Sequence, residues 1–304
     1  MEKFKLQLDW KPNAQFAGIL IAHYFKWYQQ ADIDLDIIPW RPYLNQVEVL
    51  KSDENMLIST EDNLLIQGRA SGQAIKAIAT MMQYSGLGWM SLKSSGINTI
   101  EDLKGKRVGI HGDGETGLKI TLQQYGLSEQ DVEIVEVGYD YAHLLNTGEF
   151  DAIQCLVAIE PNELKAQGFD LNVIPAYEWG YEVYSQVICT SDRLIQTHAE
   201  ALKAFLKITF EGWRYAFDHA AEVADVIVSR YLHESDSTLQ AALIQTLKPL
   251  FEGKVGMNKL GWMDPDRWTK SVSYLKRSGL IDEILPPETL MTNALMASID
   301  DQVV

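Results

Sequence analysis

The chain has 304 residues, 46% of them hydrophobic and 22% charged, enough to fill two cores, since a single core stops growing at roughly 250–300 residues. Its formal net charge of −16 excludes nucleic acid as a natural partner, because neutralising phosphates takes a basic face, and favours a neutral or cationic solute over an anion. No segment reaches the ~18 consecutive apolar residues of a membrane span.

Strand and helix patterns alternate, the signature of sheets with crossover helices. Phe4, Leu6 and Leu8 alternate with polar neighbours as a first strand, which ends beside Trp10. A turn at Pro12 and Asn13 leads into a helix over 17–30, and residues 33–38 form a second strand stopped by Pro39. A helix over 43–51, a short apolar strand over 56–60, a helix over 62–69 and an apolar strand over 74–82 follow. Asn98 or Thr99 is expected to cap the helix TIEDLK, with Glu101 and Asp102 in the first turn where the helix dipole favours acids. KRVGIHG reads as a strand, and GDGETG at 112–117 opens a helix near Thr116. Further strands fall at VEIVEVG, DAIQCLVAI and LNVIP. The last third is helical over 199–231, 236–250 and 266–278, with Leu202, Phe205, Leu206, Thr209 and Trp213 on one face.

This order puts both chain ends in one lobe, residues 1–86 plus 188–304, and inserts a second lobe, residues 87–187, in the middle. A chain that passes twice between lobes has the geometry of a hinge. Open α/β sheets take their ligands at the carboxyl ends of the strands, so the expected site is the crevice between the lobes.

Catalysis finds little support. The chain has no GxSxG elbow, HExxH pair or GxxxxGK[ST] loop, so no catalytic residue, metal or cofactor is expected. Cys155 and Cys189 sit in apolar strand-like runs and read as buried free thiols. The six histidines are dispersed; His111 alone ends a strand beside a glycine turn, as a structural residue or a ligand contact. In GDGETG, the glycines at 112, 114 and 117 expose backbone N–H groups to a ligand oxygen. Asp113 and Glu115 oppose a pyrophosphate there, which argues against a dinucleotide.

Aromatic residues fall where the lobes are expected to meet: Trp10, Trp89, Tyr177, Trp179, Tyr181 and Tyr184. Such side chains offer stacking faces to a flat ring, whereas Trp27, Trp213, Trp262 and Trp268 read as packing. Glu61, Glu160, Glu178 and Glu182 lie near the same strand ends, and a carboxylate beside a ring amine makes a charge-assisted hydrogen bond. Each reads equally as a solvated surface acid.

On these residues the chain resembles the thiamine-pyrimidine precursor family, which includes formylaminopyrimidine-binding proteins of ABC importers and the fungal thiamine pyrimidine synthase. The resemblance rests on Asp9, Trp10, Pro12, Asn13, Gly18, Trp27 and Tyr28 in the opening segment. It continues through the T-E-D run at 60–62, INTIEDLKGKRVGIHG, GEFDAI, EPNELKAQGFDL and FEGWRYA, nearly the whole chain. It implies an α/β, two-lobed type II periplasmic-binding-protein fold, each lobe a mostly parallel sheet flanked by helices. It further implies an aminopyrimidine-sized ligand delivered to an ABC permease, without chemistry.

Carried over by position, Trp10, Asn13 and Phe16 would wall the site. Thr60 and Glu61 would approach from one lobe, and Gly112, Gly114, Glu115 and Thr116 from the other. Glu160, Tyr181 and Tyr184 would close it. Phe16 stands where the family often has a polar residue, which points to a different ring or a more apolar ligand. The synthase branch uses a cysteine-rich iron motif, and the two cysteines here are not clustered. A synthase-like enzyme and the ligand-sensing domain of a signalling protein are the competing functions. The chain opens on a strand, with no basic and apolar leader. It is expected in the periplasm or at the cell surface if an export signal is removed, and otherwise in the cytoplasm.

Overall fold

The structure, a computed structural model, describes residues 1–42, 44–111 and 114–300. The chain divides into two compact units, Met1–Gln83 with Val183–Val304, and Tyr84–Glu182. Among the described residues the strands are β1 (Glu2–Gln7), β2 (Ile33–Ile38), β3 (Met56–Thr60), β4 (Ile75–Met82), β5 (Leu87–Leu92), β6 (Arg107–Ile110), β7 (Glu133–Glu136), β8 (Ala152–Leu156), β9 (Leu171–Pro175) and β10 (Ser185–Ser191). The main helices are α1 (Ala17–Tyr24), α2 (Asp62–Ala70), α3 (Glu115–Gln124), α4 (Glu160–Ala166), α5 (Ala199–Asp218), α6 (Ala220–Arg230), α7 (Ser237–Glu252) and α8 (Pro265–Arg277).

The first unit holds a sheet in the order β2-β1-β3-β10-β4, the second a sheet in the order β7-β6-β8-β5-β9. In the first, β1 runs parallel to β2 and β3, and β10 runs antiparallel to β3 and β4. In the second, β6 runs parallel to β7 and β8, and β5 runs antiparallel to β8 and β9. Four of five strands in each sheet therefore share a direction. The reversed strand, β5 or β10, is in both cases the first that the chain makes after passing from one unit to the other. This is an α/β protein of two domains, each a mostly parallel mixed sheet flanked by helices.

Alternation along β1 and β3 decides the faces of the first sheet. Met56 and Ile58 join Leu65, Trp268 and Leu275 in the core under α2 and α8. Phe4 points the other way, onto Phe205 of α5 with ring centroids 6.4 Å apart. There α1 and α5 cross so closely that a Cβ on Gly212 would lie 2.1 Å from the Gly18 carbonyl oxygen. In the second unit Met90, Phe150, Ile153, Cys155 and Leu164 form a core. Both cysteines are buried free thiols, and burial pushes both well above the usual thiol range.

Several expected elements differ. The helix over 17–30 breaks at Lys26, which takes φ +60°, and the helix over 199–231 breaks at His219, outside helical geometry. TIEDLK yields only the 3-10 turn Glu101–Leu103, because the Asp102 carboxylate turns back to accept the Asn98 and Thr99 N–H groups, each at 2.9 Å. The helix over 43–51 shortens to Gln46–Val49 plus a 3-10 turn, and its expected first residue lies outside the described set. β5 went unread because LGWMSL, with a glycine inside it, shows no alternation. Residues Val183–Val187, expected in the inserted lobe, belong with the first unit: Ser185 pairs with Met82, and Val187 pairs with both Thr60 and Thr80.

Candidate functional site

In the first unit the chemistry-bearing side chains gather past the carboxyl ends of three adjacent strands. Trp10 follows β1, Trp40 follows β2, and Glu61 follows β3. The Trp10 and Trp40 rings lie 4.6 Å apart, tilted by 46°, and both are half-buried. The Gln7 side chain seats the loops beneath them by donating to the carbonyls of Leu8, Ile38 and Pro39 at 2.9–3.3 Å. Trp40 was missed in the sequence because Pro39 marked only the end of a strand.

Asn13 is buried and caps the 3-10 turn Ala14–Phe16, its side-chain oxygen accepting from Gln15 N at 3.0 Å. Phe16, in the same turn, is wholly buried. At the end of β3, Thr60 is buried and Glu61 is half-buried, its carboxylate accepting from Ser185 Oγ at 2.7 Å. Asp62 begins α2 in full burial. It accepts from Ser271 Oγ at 2.7 Å and from Tyr184 N at 3.0 Å. Burial pushes this carboxyl up to about 6, against the opposing pull of those two hydrogen bonds and of Arg267.

Tyr184 belongs to this framework. Its hydroxyl accepts from Asp264 N at 2.7 Å, and the Arg267 guanidinium lies 4.6 Å over its ring. Ser59 Oγ, Thr60 Oγ1, Asp62 Oδ1, Asn63 Oδ1 and Gln186 Oε1 are buried with no hydrogen-bond partner among the described residues. Native interiors leave few such atoms. These five lie near the carboxyl end of β3 and the start of β10. Gln186 and Ser185 were missed because SQVICTS reads as an apolar strand.

In the second unit, His111 follows β6 and is buried. Its Nδ1 lies 3.2 Å from the Val137 carbonyl, which can only accept, so Nδ1 carries the proton. Its Nε2 lies 2.9 Å from the Tyr141 hydroxyl. Tyr139 stacks on the imidazole at 4.4 Å. The His111 N–H donates to Gln154 Oε1 at 2.9 Å, and Gly114 N donates to the His111 carbonyl at 3.0 Å. Gly114 is where α3 starts, and the Gln154 side chain lies across it: a Cβ there would sit 1.9 Å from Gln154 Oε1.

Gly112 lies outside the described residues. Glu115 and Thr116 are half-buried on the first turn of α3, with Glu115 paired to Lys119 at 2.6 Å. Tyr181 is buried against α3, its Cε1 3.2 Å from where a Cβ on Gly117 would be. Glu160 begins α4 in burial and accepts from Leu156 N at 2.7 Å. The expected residues thus fall into two groups, Trp10, Asn13, Phe16, Thr60, Glu61 and Tyr184 in the first unit, and Gly114, Glu115, Thr116, Glu160 and Tyr181 in the second.

Among the described residues no group of three His, Cys, Asp or Glu side chains is placed to hold a metal ion. No helix among them is long and apolar enough to cross a membrane.

Comparison with known proteins follows this geometry. A riboflavin-binding protein of Chloroflexus aurantiacus is 22% identical over 302 residues, covering 96% of this chain and 86% of its own. A formylaminopyrimidine-binding protein of Halalkalibacterium halodurans is 22% identical over 281 residues, covering 90% and 85%. A 4-amino-5-hydroxymethyl-2-methylpyrimidine phosphate synthase of Legionella pneumophila is 23% identical over 304 residues, covering 96% and 91%. Among solved structures, the alkanesulfonate-binding protein of Xanthomonas axonopodis pv. citri, bound to MOPS, superposes with a TM-score of 0.76 at 12% identity over 96% of this chain and 98% of that one. At that identity the likeness establishes the fold, that of the periplasmic binding proteins. The family model described as NMT1/THI5 like matches residues 13–223, and the chain belongs to that family.

Proposed function

We propose that this protein captures a small, flat, nitrogen-bearing ring of the thiamine-pyrimidine class, leaves it chemically unchanged, and passes it to an ABC importer outside the cytoplasm. The observation that carries the reading is the placement of Trp10, Trp40 and Glu61 past the carboxyl ends of β1, β2 and β3, the end at which open α/β sheets take their ligands. Two half-buried indole rings offer faces for stacking, and a carboxylate oriented by Ser185 accepts strongly from a ring amine. The net charge of −16 suits such a guest better than an anion. The relatives named for riboflavin and for formylaminopyrimidine support a flat nitrogen heterocycle.

The test is a thermal-shift and calorimetric screen with 4-amino-5-hydroxymethyl-2-methylpyrimidine, its formylaminopyrimidine counterpart, riboflavin and an alkanesulfonate, followed by mass spectrometry of the recovered ligand. An aminopyrimidine that raises Tm and returns intact supports the reading. A shift with riboflavin or sulfonate alone reassigns the ligand. A pyrimidine product formed during incubation replaces binding with catalysis, as the synthase relative's name suggests. Delivery is tested by whether loaded protein raises the ATPase rate of a reconstituted pyrimidine importer.

A further inference from the structure

Gln186, the second residue of β10, takes a conformation rare for glutamine. Its φ is +52°, in the left-handed region, although it is neither glycine nor asparagine. It is 2% exposed; its Nε2 donates to Gln15 Oε1 at 2.9 Å, and its own Oε1 makes no hydrogen bond among the described residues. A strained backbone and an unsatisfied buried carbonyl are two separate departures from what folding favours. Such departures concentrate where a protein binds.

The surroundings say what the group would read. Gln15 lies two residues past Asn13, in the turn that follows Trp10, so the amide pair reaches from β10 across the end of β3 to the loop carrying Trp10. Ser185, the preceding residue, donates to Glu61. On β3, Ser59 pairs with Ile188, two residues from Gln186, and its buried Oγ also has no partner among the described residues. Resting on the reading under Proposed function, we propose that Gln186 is a specificity-determining residue of the site. Its Oε1 accepts an N–H of the solute's amino group, and Gln15 fixes the orientation of the amide.

The experiment compares two probes by calorimetry, 4-amino-5-hydroxymethyl-2-methylpyrimidine and the isosteric 4-methyl compound that lacks the amine. A buried acceptor matched to a donor discriminates by about 10–100-fold, so the wild type is expected to prefer the amine by that factor. Gln186→Leu should bind both probes with equal, weak affinity. Gln186→Gly keeps the fold, because glycine adopts the positive φ without strain, and should lose the same discrimination. Trp10→Ala should weaken both probes alike. If either Gln186 variant keeps the wild-type preference, Gln186 is structural and this inference fails alone. If the wild type binds neither probe, the functional reading falls and takes this inference with it.

Discussion

Asp62 and Tyr184 are joined twice: the Tyr184 N–H donates to the Asp62 carboxylate at 3.0 Å, and the Asp62 N–H donates to the Tyr184 carbonyl at 3.5 Å. The pair ties the start of α2 to the segment entering β10, and Ser271 of α8 locks it from below. Removing this carboxylate's charge therefore reports on the framework behind Glu61 and Gln186.

Burial raises the Asp62 carboxyl from 3.8 to about 6, so between those values the folded chain holds a proton that the unfolded chain has released. Stability from this group is full below pH 3.8 and is lost as pH rises through about 6. At about 1.4 kcal/mol per pH unit the window amounts to roughly 3 kcal/mol. Urea unfolding of Asp62→Asn at pH 4 to 7 should show the variant gaining on the wild type by an amount of that order. Parallel stability curves would mean the carboxyl titrates normally.

Gly212→Ala would drive a Cβ to 2.1 Å from the Gly18 carbonyl oxygen. Backbone offers no rotamer escape, so α1 and α5 must separate. A loss of about 2–3 kcal/mol is expected, read by chemical denaturation, whereas Gly279→Ala, with open space around it, tests only the cost of a positive φ.

Gly114→Ala meets a movable neighbour instead. The new methyl displaces Gln154 and breaks its bond to His111 N, a loss of about 1–3 kcal/mol. In a Gln154→Ala background the same change should be nearly neutral. Additive losses across that double-mutant cycle would contradict the contact.

Trp10→Ala and Glu61→Gln separate stacking from charge. Glutamine keeps an acceptor for Ser185 Oγ, so Glu61→Gln should leave the unliganded Tm within about 2 °C while weakening an aminopyrimidine by roughly tenfold. Trp10→Ala should quench less Trp fluorescence on titration and bind roughly two- to tenfold more weakly, given about 0.5–1.5 kcal/mol for a ring pair. A large drop in the unliganded Tm from either change would assign that residue to packing.

Local pattern settled a good deal. The alternation of Phe4, Leu6 and Leu8, the turn at Asn13, and the apolar stripe from Leu202 to Trp213 each follow from neighbours within a few residues, and the structure keeps them. Strand ends are equally local, so Trp10 and Glu61 were legible as residues at a sheet's carboxyl edge. Three-dimensional pairing decided the rest. That β5 and β10 run against their neighbours, that Trp40 meets Trp10, and that Tyr184 is held under Arg267 depend on segments distant in the chain. Gln186 is the extreme case: its sequence context favours an ordinary strand, yet it takes a left-handed φ within β10, with its side-chain amide bonded to that of Gln15, 171 residues away.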